Sequence, residues 1–487
     1  MAEPHAQSSE LAYLSVDELV ARLDEGSLTS LQIVDALLDR IAAIDTDESV
    51  TYLNAIASLS RDARSLARER DEERARGVRR GALHGVPVVV KDNIEAKGLP
   101  GAAGSTALEG RAARDGELVT RLREAGAIIL GSTNLSQWAN MRSVRSTSGY
   151  SASGGLVGNP WALDRSAGGS SSGSGAALAA GLAPLAVGTE TDGSIVCPAS
   201  VNGVAGLKPT VGVVPAQYVV PISASQDSPG PMGRRVSDVA RLFSVLSNST
   251  APELRDVTFA VATNWVTEHP ATDALFSEVV ERLRAEGYSV VDRELAVPGE
   301  EEGNDELAVL LAELYDDLGA YLRDRPGDGV RSLEDVIAFE DEFRDREQAY
   351  FGHDFFIAAV ATGGRNGEAY SGARRRNLTW AIETCLLPGL EGVDVIIAPA
   401  YGPAWKSDLA VGGHPGPASV ATMAPAIAGW PIMSVPIGLV QDLPIGMALL
   451  GRAYDEWTIL RAASMVESVI DRSGPLPRPY WKSPRRG

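Results

Sequence analysis

A run of serine and glycine at residues 167–176 (AGGSSSGSGA) lies inside a folded region of this chain. The apolar, alanine-rich segment Ala176–Ala183 that follows it predicts a buried helix, and Leu185–Val187 predicts a strand. A flexible Ser/Gly linker does not fit, because a linker joins folded units and does not lie within one. A second glycine-rich turn, residues 188–195 (GTETDGSI), comes directly after the strand. The chain must therefore fold so that two hydroxyl-rich turns flank a helix and a strand of one unit.

Short runs of β-branched residues alternate with helical patterns along the chain. Val86–Val90 and Ile128–Leu130 are each bounded by glycine or proline, and the helical stretch Gly116–Ala125 separates them. Alternation of strand, helix and strand is typical of an α/β sheet. Strand patterns return after residue 390, beyond a mostly helical and acidic segment at 301–380. We therefore predict an α/β fold with one large domain, into which the segment 301–380 is inserted.

The first part of this single domain, residues 1–80, is predicted to be helical. Ser15–Glu18 and Thr29–Gln32 both fit the capping box that begins a helix. Residues 59–80 are so densely charged that we expect a solvated helix there. The remaining regions are a core with the candidate reactive residues at 81–250, the helical insert at 301–380, a return to the sheet at 390–470, and a surface tail after Pro475.

The charge of the chain argues against nucleic acid as a partner. Its 487 residues carry a formal net charge of −20, and contacts with phosphate need a basic patch. No uncharged apolar stretch reaches the roughly 18 residues of a membrane span, so we expect no membrane association. The segment Met1–Glu10 has no basic region followed by an apolar run, so we expect no secretory signal and a cytoplasmic location. Two cysteines, Cys197 and Cys385, are too few for a disulfide framework.

Two serines on the glycine-rich turns, Ser170 and Ser194, and a lysine behind an apolar strand, Lys91, are the candidate reactive residues. A buried strand end is a low-dielectric position, and a lysine must be desolvated to accept a proton at neutral pH. These residue types suggest a hydrolase that activates a hydroxyl with an amine. Lys91 alone would be interpreted as a surface lysine, and only the two serine turns favour a catalytic role.

Other kinds of site agree less well with the sequence. Neither the Walker pattern nor a dinucleotide fingerprint accompanies the glycines, which leaves phosphate binding a minor alternative. None of the five histidines adjoins a serine turn, although a distant histidine could still fold into place. We interpret His84, in a glycine-rich loop before the Lys91 strand, as structural. No cluster of His, Cys and Asp has the spacing of metal ligands, so we expect neither a metal nor a cofactor.

Several ordered motifs resemble the amidase signature family: residues 86–92 (VPVVVKD), 168–174 (GGSSSGS), 188–195 (GTETDGSI) and 206–210 (GLKPT). The resemblance extends from about residue 15 to residue 470, and its motifs are specific in combination. It implies hydrolysis of amides on a mixed central sheet covered by helices on both faces. Within the family the chain is most similar to bacterial peptide amidases, which remove the C-terminal amide from peptide amides.

The resemblance also implies a role for each matching residue. Lys91 matches the base, Ser194 the nucleophile, and Ser170 the serine that bridges them, which is usually held by a cis peptide bond. The backbone N–H groups of Thr191, Asp192, Gly193 and Ser194 match the oxyanion hole. Asp192 stands where many members have glycine, so its side chain is expected to restrict or contact the substrate.

An amidase that acts on other small-molecule amides is one alternative, and two further functions are also compatible with these motifs. One is a glutaminase-type subunit of a transamidation complex, which would need a partner chain. The other is a catalytically inactive binding protein that keeps the fold. For the main interpretation we expect a small-molecule or peptide amide as the substrate and a monomer or homodimer. The helical insert and the aromatic residues Tyr401, Trp405 and Trp430 are expected either to shape the pocket or to pack in the core.

Overall fold

The computed structural model describes residues 11–46, 52–110, 112, 114–253, 256–412 and 420–470. The predictions for Met1–Glu10 and for the tail after Pro475 concern residues outside these ranges. None of the described helices combines the length and the apolar composition that a membrane span requires.

A mixed sheet of eleven strands runs through the molecule, and four short strands form two separate pairs within the described residues. In chain order the strands are β1 Ile56–Leu59, β2 Pro87–Lys91, β3 Ile128–Thr133, β4 Tyr150–Ser151, β5 Gly155–Leu156, β6 Gly158–Asn159, β7 Ala162–Ser166, β8 Leu185–Glu190, β9 Ala205–Lys208, β10 Ser228–Gly233, β11 Phe259–Ala262, β12 Val290–Arg293, β13 Val395–Tyr401, β14 Ile432–Val440 and β15 Leu443–Leu450.

Across the large sheet the strand order is β1-β3-β2-β8-β10-β9-β14-β15-β13-β11-β12. Strand β2 pairs in parallel with both β3 and β8. Strand β8 then pairs antiparallel with β10. Because β2 has a neighbour on each side, the end of this strand lies well inside the sheet, away from either edge.

The α-helices of the described chain are α1 Val16–Glu25, α2 Ser30–Ile44, α3 Ala63–Ala75, α4 Glu117–Glu124, α5 Ser172–Ala179, α6 Val196–Asn202, α7 Val236–Ser247, α8 Pro270–Ala285, α9 Glu300–Asp324, α10 Leu333–Glu342, α11 Arg344–Glu347, α12 Asp354–Thr362, α13 Glu368–Leu378, α14 Leu387–Gly389, α15 Met423–Ala428 and α16 Glu456–Val469. A π-helical stretch, Thr379–Leu386, joins α13 to α14. Both predicted capping boxes are present, at Ser15 before α1 and at Thr29 before α2.

Neighbouring residues of β2 pack into different hydrophobic cores. Val88 belongs to the core that contains Leu118 of α4. Val89 belongs to a second core, which contains Leu178 of α5. Since successive side chains of a strand point to opposite faces, helices cover the sheet on both sides. The predicted α/β domain with a mixed, doubly covered sheet is confirmed.

The helix after the serine-rich run begins earlier than predicted. We expected it to start at Ala176, but α5 starts at Ser172, inside the run. Close packing explains the difference, because a Cβ atom on Gly173 would lie 2.3 Å from the carbonyl oxygen of Ala55. The tertiary contacts that only glycine permits here outweigh the low helix propensity of Gly and Ser.

The charged helix α3 is less solvated than predicted. Arg70 and Glu73 form an ion pair in which both side chains are nearly buried. His84 packs against the same helix, with its Nε2 atom 3.1 Å from the Arg70 carbonyl oxygen. The expectation of a solvated helix is therefore wrong for its inner face, because an apolar pattern does not reveal charges that pair with each other. The structural interpretation of His84 agrees with these contacts.

Helices make up most of the segment 301–380. Leu314 of α9 and Phe356 of α12 share a hydrophobic core with Met141 and Ile222. The insert therefore forms part of the wall of the candidate site.

Candidate active site

Lys91, the last residue of β2, is completely buried. Its Nζ atom lies 2.7 Å from the hydroxyl oxygen of Ser170. The same atom lies 2.8 Å from the hydroxyl oxygen of Thr189 and 3.1 Å from the Thr189 carbonyl oxygen. Thr189 belongs to β8, the parallel neighbour of β2. The sheet thus places an amine directly against the serine-rich turn.

Burial lowers the pKa of Lys91 from its usual value of 10.5 to about 7, against the opposing effect of the Asp227 and Glu190 carboxylates. A neutral amine has two N–H donors and one lone pair. The Thr189 carbonyl oxygen can only accept, and the Thr189 hydroxyl also accepts a hydrogen bond from Asn93 at 3.0 Å. Both N–H donors of a neutral Lys91 can therefore be used by Thr189, which directs the lone pair at the Ser170 hydroxyl.

Hydrogen bonds hold the serine-rich turn in place around Ser170. It follows a cis peptide bond, Gly169–Ser170, as predicted from the family resemblance. Its carbonyl oxygen accepts a hydrogen bond from the Ser136 N–H at 3.1 Å. The next hydroxyl along the chain, that of Ser171, donates to the Thr189 carbonyl oxygen at 3.0 Å. The serine-rich turn is thereby attached to β8 beside Lys91.

Ser194 lies in the turn between β8 and α6. Its carbonyl oxygen accepts a hydrogen bond from the Ser171 N–H at 3.1 Å, which joins the two serine turns through their backbones. The residue is 8% exposed and lines a cavity. Its hydroxyl has no hydrogen-bond partner within the described residues, Ser170 included. The structure thus brings Lys91 and Ser170 into direct contact. Ser194 lies beside them, and its hydroxyl has no hydrogen-bond partner among the described residues.

Four consecutive N–H groups of this turn donate no hydrogen bond to any described residue, namely those of Thr191, Asp192, Gly193 and Ser194. Gly193 has φ +76°, and a Cβ atom there would lie 2.6 Å from the Tyr401 hydroxyl oxygen. The turn therefore requires glycine at this position. A set of free N–H groups held beside a hydroxyl is suited to stabilise an oxyanion.

Glu190, at the end of β8, anchors the start of the next helix. Its Oε2 atom accepts hydrogen bonds from the N–H groups of Ile195 at 2.6 Å and Val196 at 2.8 Å. Burial raises the pKa of Glu190, and the charge of Lys208 opposes that rise. The sequence analysis gave Glu190 no task, whereas the structure shows that its carboxylate binds the backbone directly after Ser194.

Asp227 fixes the other side of the turn. One carboxylate oxygen accepts a hydrogen bond from the Thr191 hydroxyl at 2.6 Å. The other accepts from the N–H groups of Ile222 at 2.8 Å and Ser223 at 2.9 Å. Burial raises the pKa of Asp227 to about 6, and the hydrogen bond from Thr191 opposes the rise. Asp227 therefore links the predicted oxyanion turn to the loop that lines the cavity.

A cavity of about 530 Å³ opens in front of Ser194. The insert contributes Leu310 and Phe355 to its wall, and the expected Tyr401 and Trp405 line it as well. Trp430 instead packs at the edge of a hydrophobic core. Further lining residues are Ala139, Asn140, Met141, Ser143, Val144, Ser146, Ser148, Gly169, Thr191, Asp192, Cys197 and Ile222.

Cys197 lines the same cavity as a thiol. It is 5% exposed and unpaired, and burial raises its pKa to about 12. A thiol with such a pKa is not a nucleophile at neutral pH. The cavity therefore offers Ser194 as its candidate nucleophile.

Sequence reasoning missed the residues that support the candidate groups. Thr189 lies in the motif at residues 188–195 but was assigned no task, and Asp227 lies outside the four motifs named for the family resemblance. Lys208, in the GLKPT motif, is completely buried near Glu190 and Asp192, and burial lowers its pKa to about 8. The available signal in the sequence was its place in a motif that carries the family resemblance, residues 206–210.

A family model described as Amidase matches residues 32–460 of the chain. The chain is also similar to the solved structure of native peptide amidase from Stenotrophomonas maltophilia. The two share 36% sequence identity with a TM-score of 0.88, and the likeness covers 97% of this chain and 99% of that one.

Two curated relatives are similar in sequence to nearly the whole chain. A probable amidase of Arabidopsis thaliana is 36% identical over 492 residues, which cover 93% of this chain and 90% of that protein. A glutamyl-tRNA(Gln) amidotransferase subunit of Symbiobacterium thermophilum is 32% identical over 481 residues, which cover 91% of this chain and 94% of that protein.

Proposed function

Since the chain belongs to the amidase family and is accordingly a hydrolase of amide bonds, we propose that it releases ammonia from the C-terminal amides of peptides or from amino acid amides. Lys91, Ser170 and Ser194 are proposed as base, relay and nucleophile. The main support for these roles is the 2.7 Å contact between the Lys91 amine and the Ser170 hydroxyl. The Ser194 hydroxyl, which has no hydrogen-bond partner among the described residues, lies in the neighbouring turn.

The proposed reaction begins with the transfer of two protons. Neutral Lys91 accepts the proton of the Ser170 hydroxyl, and Ser170 accepts the proton of Ser194. Ser194 Oγ then attacks the carbonyl carbon of the amide. Support for the first step comes from the burial of Lys91, which brings its pKa to about 7 and so makes the neutral amine available near neutral pH.

The negative charge of the tetrahedral intermediate is proposed to rest on the free N–H groups of residues 191–194. Each such donor is typically worth about 3 kcal/mol in the transition state. The proton held by Lys91 returns through Ser170 to the leaving nitrogen, the C–N bond breaks, and ammonia departs. An acyl-enzyme ester on Ser194 remains, and attack by water with the same base releases the carboxylic acid.

The choice of peptide amides as substrates rests on the similarity to peptide amidase along nearly the full length of both chains. The cavity in front of Ser194 adds support, since its volume of about 530 Å³ is large enough for more than a simple acyl amide. Its wall combines apolar and aromatic side chains with a few hydroxyls, a lining that suits varied peptide side chains.

A panel of peptide amides tests this proposal. Each amide is incubated with the enzyme, and mass spectrometry reads the conversion of amide to acid while an enzymatic assay reads ammonia. We expect both products with the wild-type chain and neither with Ser194→Ala. Turnover of a simple aryl amide without any turnover of peptide amides would overturn the substrate class but keep the reaction.

The similarity to the amidotransferase protein of Symbiobacterium thermophilum favours one second candidate, a glutaminase that feeds ammonia to a partner. Free glutamine carries an α-carboxylate that needs a cationic partner in the site. Among the described residues that line the cavity, none is Lys or Arg. This lining favours the amide of a peptide over free glutamine. Gel filtration combined with a glutaminase assay separates the two, since the second candidate predicts activity only in a complex.

A further inference from the structure

Asp192 is a carboxylate in the wall of the cavity, two residues before Ser194 in the same turn. No other formally charged side chain lines this cavity among the described residues. The proposed hydrolysis gives Asp192 no task beyond its backbone N–H. A carboxylate in the same turn as the proposed nucleophile nevertheless raises the free energy of the oxyanion, because the two negative charges repel each other.

The carboxylate is also incompletely satisfied. Its Oδ1 atom is buried and has no hydrogen-bond partner in the described structure. A buried carboxylate oxygen without a donor costs free energy that a bound donor would recover. The described protein therefore supplies no hydrogen-bond donor to this one oxygen atom.

Two further acids and a buried lysine lie near Asp192. Glu306 of α9, 6% exposed, is close enough that the Asp192 charge raises its pKa. Glu190 lies at the end of β8, and the charges of Glu190 and Asp192 both act on the buried amine of Lys208. Arg374 is a second cation near Glu306. Its guanidinium donates a hydrogen bond to the Ile427 carbonyl oxygen at 2.7 Å.

Aromatic side chains line the same cavity as this carboxylate. Tyr401, Trp405 and Phe355 all line it together with Asp192. A carboxylate combined with aromatic faces is the chemistry that binds an alkylammonium group, through a charge-assisted hydrogen bond and cation–π attraction.

We propose that Asp192 and the aromatic residues Tyr401 and Trp405 form a subsite for an alkylammonium group of the amide substrate. This assignment rests on the proposed function, because it names the charge of the substrate that the Ser194 site prefers. The ammonium could come from a free α-amino group or from a lysine-like side chain, and the experiment distinguishes the two sources.

Burial raises the pKa of Asp192, and the hydrogen bond from Thr422 and the charge of Lys208 oppose that rise. A cation bound beside it would act in the same direction as Lys208 and favour the ionised carboxylate. Substrate binding and ionisation of Asp192 would then support each other.

Three related amides test the subsite at neutral pH. They are N-acetyl-norleucinamide, which is uncharged, N-acetyl-lysinamide, with a side-chain ammonium, and norleucinamide, with an α-ammonium. We expect the wild-type enzyme to prefer one of the two cationic amides over the uncharged one by about tenfold or more in kcat/KM. The preferred compound identifies the source of the ammonium.

The isosteric variant Asp192→Asn should remove this preference, read within the same variant as the ratio of kcat/KM for the cationic amide to kcat/KM for N-acetyl-norleucinamide, so that any general loss of activity cancels. Asp442→Asn is the matched control, since it removes one negative charge at an exposed turn in a left-handed conformation that Asn also adopts. Asp192→Ala provides a second variant without the carboxylate if the first fails to fold. Equal kcat/KM for the charged and uncharged amides in the wild type would overturn the subsite while leaving the proposed function intact.

Binding measurements keep the subsite testable if no amide of the panel is hydrolysed, a result that would overturn the proposed function instead. Calorimetry compares benzylammonium with benzyl alcohol. We expect benzylammonium to bind the wild type at least about tenfold more tightly than benzyl alcohol, and Asp192→Asn to lose that difference. Equal affinity of the wild type for the two probes would contradict the subsite.

Discussion

Lys91 Nζ contacts Thr189 at two atoms, the carbonyl oxygen at 3.1 Å and the hydroxyl oxygen at 2.8 Å. Both are acceptors for the two N–H groups of a neutral amine. The remaining lone pair then faces Ser170, whose hydroxyl oxygen lies 2.7 Å away. One threonine thus sets the direction in which the proposed base accepts its proton.

Thr189→Val should lower kcat by about tenfold with little change in KM, because it removes one acceptor that orients Lys91 and leaves the cavity around Ser194 intact. Steady-state kinetics on a peptide amide measures the effect. Thr120→Val, on the exposed face of α4, makes the same chemical change away from the site and should leave both constants unchanged. A wild-type kcat in Thr189→Val would show that the Thr189 hydroxyl has no part in orienting the amine.

The pH dependence of kcat/KM should follow the ionisation of Lys91. Because the proposed base acts as the neutral amine, activity should rise as pH increases through about 7. The charge of Asp227 favours the protonated amine, so removing it lowers the pKa of Lys91 further. Asp227→Asn should therefore move the acid limb of the pH–rate profile to lower pH, in addition to any loss of rate from the weakened turn.

Asp324→Asn serves as the control for this profile. Asp324 is an acid that pairs with Arg114 and does not contribute to the pKa shift of Lys91. The acid limb of this variant should coincide with that of the wild type. A limb that stays in place in Asp227→Asn, or moves to higher pH, would contradict the electrostatic link between Asp227 and Lys91.

Replacing the buried lysine should stabilise the fold more at low pH than at high pH. The pKa of Lys91 is lowered on folding from 10.5 to about 7, so between these values the unfolded chain binds the extra proton. The contribution of Lys91 to the free energy of unfolding is therefore lowest below about pH 7 and increases as the pH rises toward 10.5. Relative to the wild type, Lys91→Met should gain about 2–3 kcal/mol more at about pH 6 than at about pH 9. Chemical denaturation at the two pH values measures this, and a gain independent of pH would contradict the lowered pKa.

Gly193→Ala should reduce kcat by about 100-fold and lower Tm, because a Cβ atom would displace the N–H groups of the proposed oxyanion turn. That atom would lie 2.6 Å from the Tyr401 hydroxyl oxygen, on a backbone with φ +76°. Combining it with Tyr401→Phe removes the clash but not the backbone strain, so part of the loss should be recovered. Full activity in the single variant would show that the turn does not need its present shape.

Local sequence patterns predicted the fold because each element is encoded by its own residues. The run of valines in β2 lies in a buried strand, and the capping boxes at Ser15 and Thr29 begin helices as expected. The early start of α5 at Ser172 could not be predicted, because it depends on the approach of Ala55 from a distant part of the chain.

The part of the candidate site that consists of motif residues could be predicted from the sequence. Lys91 and Ser170, proposed from separate motifs, lie in contact. The supporting contacts were not accessible, since nothing near Asp227 in the sequence indicates that it receives a hydrogen bond from Thr191. The roles of Lys91, Ser170 and Ser194 themselves stay predictions until they are tested chemically.

Labelling with a fluorophosphonate, followed by peptide mapping, tests the central assignment most directly, because the probe forms a covalent bond with an activated serine. The account predicts a single adduct on Ser194 in the wild type, no adduct in Ser194→Ala, and strongly slowed labelling in Lys91→Met. An adduct on Ser170, or labelling of the wild type that is as fast in Lys91→Met, would contradict it.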